Sequence, residues 1–264
     1  MRITISGLVV IGLLAGTASR LCAADKSDPQ AVIQKAIQAM GGEEKLAKFK
    51  SSISKGKCKF YAMGQAIDCT AEWWIQPPRQ LKAVYHMHMG GRNVTRIEVI
   101  TKDAGWLSMN GRVLPLTVDQ LAEIHEGMEA EKAVNLLALK DPEYQITSLE
   151  EAVVADRPAV GLKVKRKGHR DILLYFDKAK GYLVKMQTRT KGMGGGEVDE
   201  ESLYADYRNH DGIQNPDKMT TKRDGQLFLE CETTEFKAVE KIPDQIFARP
   251  EGAAARPRAT TSSR

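Results

Sequence analysis

The most informative stretch of the sequence covers residues 54–75 and reads SKGKCKFYAMGQAIDCTAEWWI. Apolar residues alternate with polar or charged ones in both halves of this stretch, a period typical of β-strands that have one buried face. Met63-Gly64 separates the two halves, which predicts a β-hairpin with its turn at these residues. Folding the strands about this turn places Phe60 opposite Ile67 on the apolar side of the hairpin.

The period of two continues through most of the chain, with turn signals at intervals typical of an antiparallel meander. These signals are Met63-Gly64, Gly90-Gly91, Asn110-Gly111, Lys167-Gly168, Lys180-Gly181, Asp211-Gly212 and Asp224-Gly225. They divide the chain into about ten strands, more than the usual four to six of a single sheet. A sheet of this size favours curling toward a barrel or a half-barrel.

Two segments depart from this pattern and are predicted to be helical. In the first, Ser27-Asp28-Pro29 supplies a cap and a proline suited to the first helical turn, and Gly41-Gly42 ends the helix. The second opens with Thr117 and Gln120, which form a capping-box pattern. Each helix is expected to pack on the sheet through its apolar face.

The second helical segment extends from Thr117 to Leu139, and Leu121, Ile124 and Met128 mark one of its faces. The commoner role of such a segment is to cover the core of the sheet. The alternative is a lid over a groove, because a large curved sheet holds more apolar surface than one helix pair fills.

Both ends of the chain are expected to lie outside the folded domain. Residues 1–24 contain Arg2, an apolar stretch and small residues before the predicted cleavage site, which is typical of a secretory signal peptide. Residues 249–264 are rich in Ala, Pro, Arg, Ser and Thr and are expected to be a disordered tail. Residues 25–248 remain as a single β-domain, exported to the periplasm or otherwise outside the cytoplasm.

The charge of the predicted domain argues against nucleic acid as a partner. The whole chain has a formal net charge of +5, but residues 25–248 hold 33 basic and 33 acidic side chains. A neutral body without a basic stripe does not attract a polyanion. No later stretch reaches the roughly 18 consecutive apolar residues of a transmembrane helix, so any membrane contact of the mature chain is expected to be peripheral.

Three cysteines, Cys58, Cys69 and Cys231, remain after the predicted cleavage. The hairpin register sets Cys58 opposite Cys69, and directly opposed Cβ atoms lie near the distance that a disulfide requires. Because exported proteins meet oxidising conditions, we predict a Cys58–Cys69 disulfide; the alternative is two free buried thiols. Cys231 is left over and is expected to be a small buried hydrophobic residue.

Parts of the sequence resemble the LolA-like superfamily, the outer-membrane lipoprotein carriers and their relatives. The resembling segments are residues 39–46, 51–56, 175–177, 181–185, 204–208, 211–213, Pro216, 224–225, 242–244 and Phe247. The resemblance covers roughly residues 29–250 and implies a curved, incompletely closed antiparallel sheet with an apolar cavity for acyl chains or a lipoprotein. It reports strand and turn positions rather than chemistry, so no site residue is carried over.

The predicted fold class is therefore mainly β (α+β): a large curved antiparallel sheet forms an incomplete barrel, with an N-terminal helix and an inserted helical lid on its concave face. The predicted function is that of a non-enzymatic carrier or binding protein that holds the acyl chains of a lipid or lipoprotein. The residues expected to line the groove are Phe60, Ile67, Trp73, Leu81, Tyr85, Met87, Leu121, Ile124 and Met128.

The sequence leaves two alternative functions open. The first is a regulatory or scaffold module that fills its cavity with its own side chains and contacts a protein, such as a membrane-associated one, through an edge strand or Trp74. The second is a hydrolase or a metal protein. His86 and His88 share one face of a predicted strand but lack a third ligand, and no nucleophile-elbow motif is present. The sequence thus predicts no catalytic residue, no metal and no cofactor.

Overall fold

The computed structural model describes residues 27–62, 64–192 and 194–252. The predicted signal peptide, most of the predicted tail and one residue of the first predicted turn lie outside the described residues.

One antiparallel sheet of fourteen strands makes up most of the described chain. The strands are β1 Ser51–Ala62, β2 Gln65–Gln76, β3 Gln80–Met89, β4 Arg92–Ile100, β5 Gly105–Met109, β6 Arg112–Pro115, β7 Tyr144–Ser148, β8 Ala152–Val154, β9 Arg157–Arg166, β10 Ile172–Asp177, β11 Leu183–Lys191, β12 Glu197–His210, β13 Ile213–Arg223 and β14 Gln226–Val239. Their order is β6-β5-β4-β3-β2-β1-β14-β13-β12-β11-β10-β9-β7, and β8 pairs with β9 beside that path. The sheet is not closed, which confirms the predicted half-barrel.

The strand count exceeds the ten or so that the turn signals indicate. The extra strands include short ones, such as the four residues of β6 and the three of β8. A run of three or four residues is too short for alternation to be recognised in the sequence. Such strands form where a neighbouring strand offers them an unpaired edge, as β5 does for β6 and β9 for β8.

Three α-helices accompany the sheet in the described part of the chain: α1 Pro29–Ala39, α2 Glu43–Lys48 and α3 Val118–Val134. The predicted caps are confirmed. Asp28 accepts a hydrogen bond from the backbone N–H of Gln30 at 3.1 Å, and the side chains of Thr117 and Gln120 each accept from the other's backbone N–H at 3.2 and 2.9 Å. A short 3₁₀ helix, Leu136–Lys140, continues the chain after α3.

The main core lies where α1 and α3 pack on the concave face of strands β9 to β12. Ile33 and Ile37 of α1 are almost fully buried there, against Leu174 and Phe176 of β10. Burial of such side chains contributes about 1.5–3 kcal/mol each, so this half of the concave face is filled by the protein itself.

A second core lies on the opposite face of the sheet and changes the interpretation of Trp74. Ile242 and Phe247, which follow β14, are buried against Val99 of β4, and Trp74 packs beside them. Trp74, which the sequence predicts to be an outward contact point, is therefore half-buried under the C-terminal part of the domain.

The disulfide joins Cys58 of β1 to Cys231 of β14, with Cα atoms 4.1 Å apart. The predicted Cys58–Cys69 disulfide is therefore wrong, although the predicted register is right, because Cys58 does lie opposite Cys69. Strand β1 has a neighbour on each side, and β14 sets Cys231 opposite Cys58 as well. Cys69 is a free buried thiol. Cys231, predicted to be a spare hydrophobic residue, is the bonded partner.

Candidate functional site

The six strand residues predicted to line a groove lie on one face of adjacent strands. Strand pairing sets Phe60 beside Ile67 and Leu81 beside Ile75. Trp73, Tyr85 and Met87 lie on the same face of the sheet. All six are partly exposed, in contrast to the filled core under α1: Phe60, Ile67, Trp73, Leu81, Tyr85 and Met87. We call the concave face of β1 to β6, with the side of α3 that faces it, the groove.

Further exposed apolar side chains lie on the groove faces of β2, β3, β5 and β6. Ile75, Met89, Met109 and Leu114 are 36%, 42%, 40% and 49% exposed. The pairing of β2 to β6 places all four on the same face as Trp73. Strand β4 places Arg96 and Glu98 on this face between β3 and β5, so the exposed apolar side chains flank a charged pair. Several exposed apolar side chains on one concave face are more typical of an interaction site than a single one.

Aromatic side chains give the groove a fixed wall. The Trp73 indole Nε1–H donates to the Tyr85 hydroxyl at 3.3 Å, and the Phe60 ring stands edge-on to Tyr85 with centroids 5.8 Å apart. The Arg96 guanidinium lies 5.6 Å from the centroid of the Tyr85 ring and pairs with Glu98. Burial raises the pKa of Tyr85 to about 12, so this hydroxyl remains neutral at physiological pH.

Helix α3 forms the other side of the groove, and its start is anchored at the β4–β5 end of the sheet. A Cβ atom on Gly105 would lie 3.2 Å from Cδ1 of Leu121, so the helix packs directly on the backbone of β5. The imidazole Nε2 of His125 lies 2.9 Å from the carbonyl oxygen of Thr101. The predicted roof residues Leu121, Ile124 and Met128 are all partly exposed.

The same helix is anchored to the β9–β10 turn by a row of glutamates. Arg170 donates to both carboxylate oxygens of Glu123 at 2.7 and 3.0 Å. Glu126 accepts from the backbone N–H of Arg170 at 2.7 Å and lies 2.8 Å from Nδ1 of His169. Hydrogen bonds from Arg170 lower the pKa of Glu123 to about 2, so this carboxylate stays charged.

Glu129 extends this row by one further helical turn. It accepts a hydrogen bond from the Tyr144 hydroxyl at 2.6 Å and pairs with Arg166. Burial alone would raise the pKa of Glu129, but the hydrogen bonds from Tyr144 and Arg166 outweigh burial and lower it. Helix α3 is thus tied to both ends of the open sheet and spans its concave face.

Sequence reasoning missed this glutamate row. Charged residues on a helix usually mark a solvated face, so the sequence alone predicts no role for them. The available signal was the spacing of three residues between Glu123, Glu126 and Glu129, which places them on one side of a helix.

The histidine pair lies away from the groove. His86 and His88 are exposed on the opposite face of β3, with Nδ1 atoms 3.2 Å from the Thr95 hydroxyl and 3.0 Å from the Asn93 amide oxygen. Within residues 27–62, 64–192 and 194–252, no group of three or more His, Cys, Asp or Glu side chains is arranged to hold a metal ion.

Comparison with solved structures identifies the fold. A domain described as an outer-membrane lipoprotein-sorting protein from Vibrio parahaemolyticus matches 82% of this chain and 94% of its own length, with 11% identity and a TM-score of 0.50. A DUF1329 family protein from Desulfovibrio piger matches 84% and 98%, with 11% identity and a TM-score of 0.54. A LolA superfamily protein from Nitrosomonas europaea matches 83% and 96%, with 11% identity and a TM-score of 0.50.

These likenesses show that the chain has a LolA-like fold, as the sequence resemblance predicted. No protein-family model and no curated protein sequence matches the chain. None of the helices in the described part of the chain combines the length and the apolar composition needed to cross a membrane.

Proposed function

We propose that the protein is an exported, non-catalytic carrier or binding protein that holds the acyl chains of a lipid or lipoprotein in the groove. The observation that carries this proposal is the contrast between the two halves of the concave face. Side chains under α1 are almost fully buried, whereas Phe60, Trp73 and Met87 on the sheet and Leu121 and Met128 on α3 are apolar and still partly exposed. Exposed apolar side chains on one concave face support a surface that a ligand covers.

The energetics of burial support an acyl chain as that ligand. Each methylene withdrawn from water contributes about 0.8 kcal/mol, so a chain of about ten methylenes offers about 8 kcal/mol before the cost of association. The aromatic wall of Phe60, Trp73 and Tyr85 is held by mutual contacts, so little order has to be created on binding. The fold of a domain described as lipoprotein-sorting is consistent with such a cargo.

Native mass spectrometry of the purified protein tests the proposal. We expect co-purified lipid, or lipid taken up after addition of phospholipid or lipopeptide. Ligand-free protein that does not respond to either addition would contradict the proposal and favour a module that contacts other proteins.

Paired variants locate the binding surface. Met109→Glu and Leu114→Glu place a charge on exposed groove positions, so we expect weaker displacement of a fluorescent fatty-acid probe at little cost to stability. The matched control is Val153→Glu, because Val153 is 73% exposed on β8 near the other end of the sheet. Equal loss of binding in all three variants would contradict the assignment to the groove.

A further inference from the structure

Two hairpins at one end of the groove share a sequence pattern. They are Met89-Gly90-Gly91-Arg92, between β3 and β4, and Met109-Asn110-Gly111-Arg112, between β5 and β6. In each hairpin both turn residues have positive φ, as tight two-residue turns require. Such a turn fixes the register, so the methionine before it lies directly opposite the arginine after it.

Strand pairing places both arginines on the groove face, together with Arg96. Arg96 pairs with Met109, and Met109 pairs with Arg112, so two arginines flank one methionine in a row across β4, β5 and β6. Neighbouring strands lie about 4.8 Å apart, so the two arginines start about 10 Å apart and can reach one group between them. Arg92 lies on the same face of β4, about 13 Å along the strand from Arg96.

The groove face of the sheet carries a net positive charge. Across β1 to β6 it holds four charged side chains, Arg92, Arg96, Arg112 and Glu98. Three positive charges and one negative charge leave a net charge of +2. Glu98 pairs with Arg96, whereas Arg92 and Arg112 are exposed and form no ion pair with any described residue.

These charges are confined to one part of the groove. In β1 to β3 every lysine, aspartate and glutamate lies on the opposite face of the sheet, among them Lys57, Asp68 and Lys82. This is the usual arrangement for a sheet with one apolar face. The arginines of β4 and β6 depart from it, because they share the face of the exposed apolar side chains.

The other end of the same strands is apolar and lies under α3. Leu121 of this helix packs on Gly105, the first residue of β5. Met109, the last residue of β5, lies about 13 Å away, beside the arginines. An amphiphile that lies along β5 therefore has its head group between the arginines when its chain reaches α3.

Resting on the function proposed above, we propose that Arg96 and Arg112 bind the phosphate head group of an anionic amphiphile whose acyl chain lies in the groove. A guanidinium group presents its N–H donors as a planar fork that matches phosphate oxygens. Arg92 adds positive charge at the same end of the groove. A cationic head group would meet three like charges and a single carboxylate, Glu98, that is already paired.

Three amphiphiles that differ only in the head group test this inference: decyl phosphate, decanol and decylamine, titrated calorimetrically at pH 8. We expect the wild-type protein to bind decyl phosphate about tenfold more tightly than decanol, because charge-assisted hydrogen bonds are stronger than neutral ones. Decylamine is expected to bind more weakly than decanol. Added sodium chloride should reduce the preference for phosphate and leave decanol binding unchanged.

Variants assign the preference to the arginines. Arg112→Gln is expected to lower the ratio of decyl phosphate to decanol affinity severalfold, and Arg92→Gln to lower it less, because Arg92 lies farther from the row. The double variant Arg92→Glu/Arg112→Glu should bind decylamine more tightly than decyl phosphate. Arg157→Gln is the matched control, since Arg157 is also exposed and unpaired among the described residues but lies on β9. Unchanged decanol affinity in each variant shows that the groove is intact.

The outcomes separate this inference from the function on which it rests. If decanol binds and decyl phosphate gains nothing over it, or if Arg112→Gln keeps the full preference, the phosphate site is refuted while the acyl-chain groove stands. Inorganic phosphate that binds as tightly as decyl phosphate would also refute it, because the arginines would then bind a free anion. If none of the three amphiphiles binds, the proposed carrier function itself fails.

Discussion

Replacing Glu123 by glutamine measures how firmly α3 is held across the concave face. Four donors converge on this carboxylate: two from Arg170 at 2.7 and 3.0 Å, the Thr190 hydroxyl at 3.2 Å and the backbone N–H of Lys191 at 2.9 Å. Glutamine keeps the shape of the side chain but removes its charge and turns one acceptor into a donor. The variant therefore leaves Arg170 incompletely paired.

The magnitude follows from the pKa of Glu123. The Arg170 hydrogen bonds lower this pKa from its ordinary 4.5 to about 2. At about 1.36 kcal/mol per pKa unit the difference is equivalent to about 3 kcal/mol, which screening by solvent reduces to about 1–2 kcal/mol. Because the folded-state pKa is the lower one, this stabilisation is present above pH 4.5 and is lost as the pH falls toward 2.

Urea unfolding of wild type and Glu123→Gln at pH 7 and pH 3 provides the measurement. We expect the variant to lose about 1–2 kcal/mol of unfolding free energy at pH 7, and more than half of that difference to disappear by pH 3. Hydrogen exchange of the α3 amides should be faster in the variant at pH 7.

The control for this prediction is Glu240→Gln. Its partner Lys48 is exposed, so we expect a change below about 0.5 kcal/mol that does not depend on pH. Equal unfolding free energies for wild type and Glu123→Gln at pH 7, or a difference that persists unchanged at pH 3, would refute the role assigned to Glu123.

One further prediction distinguishes the packed core from the open groove, and another tests the pairing of Cys58, Cys69 and Cys231. Leu174 is 0% exposed in the main core, so Leu174→Ala should lower the free energy of unfolding by about 2–5 kcal/mol. Leu114 is 49% exposed in the groove, so Leu114→Ala should lower it by less than about 1 kcal/mol. Urea unfolding measures both values, and similar losses would mean that the groove is packed. In Cys231→Ser produced under oxidising conditions, Cys58 should pair with Cys69, its neighbour on β2, and peptide mapping without reduction detects that bridge. Cys69→Ser, which should keep the Cys58–Cys231 bond, is the control, and two free thiols in Cys231→Ser would contradict the prediction.

Local features of this protein were readable from the sequence. The hairpin register that sets Phe60 opposite Ile67 follows from alternation about one turn, and the structure confirms it. The cap at Asp28 and the capping box of Thr117 and Gln120 are also confirmed, because a capping side chain contacts backbone only two or three residues away. Interactions of such short range depend little on the rest of the fold.

For contacts between distant segments, the sequence predictions were either wrong or absent. The disulfide partner of Cys58 is 173 residues away, and the alternation that placed Cys69 beside it carries no information about β14. Arg170 and Glu123 are 47 residues apart in the sequence. Both lie in polar segments that the sequence predicts to be exposed to solvent. A one-dimensional pattern reports which face a side chain occupies but not which strand or helix covers that face.

The sequence by itself determined the longer strands, the helix caps and the apolar side of the sheet, because each depends on residues within a few positions of one another. Tertiary structure alone decided which cysteine bonds to Cys58 of β1 and which loops and strands anchor α3 across the concave face. Those outcomes depend on the order of strands in the sheet and on its curvature, which bring together residues that no local period relates.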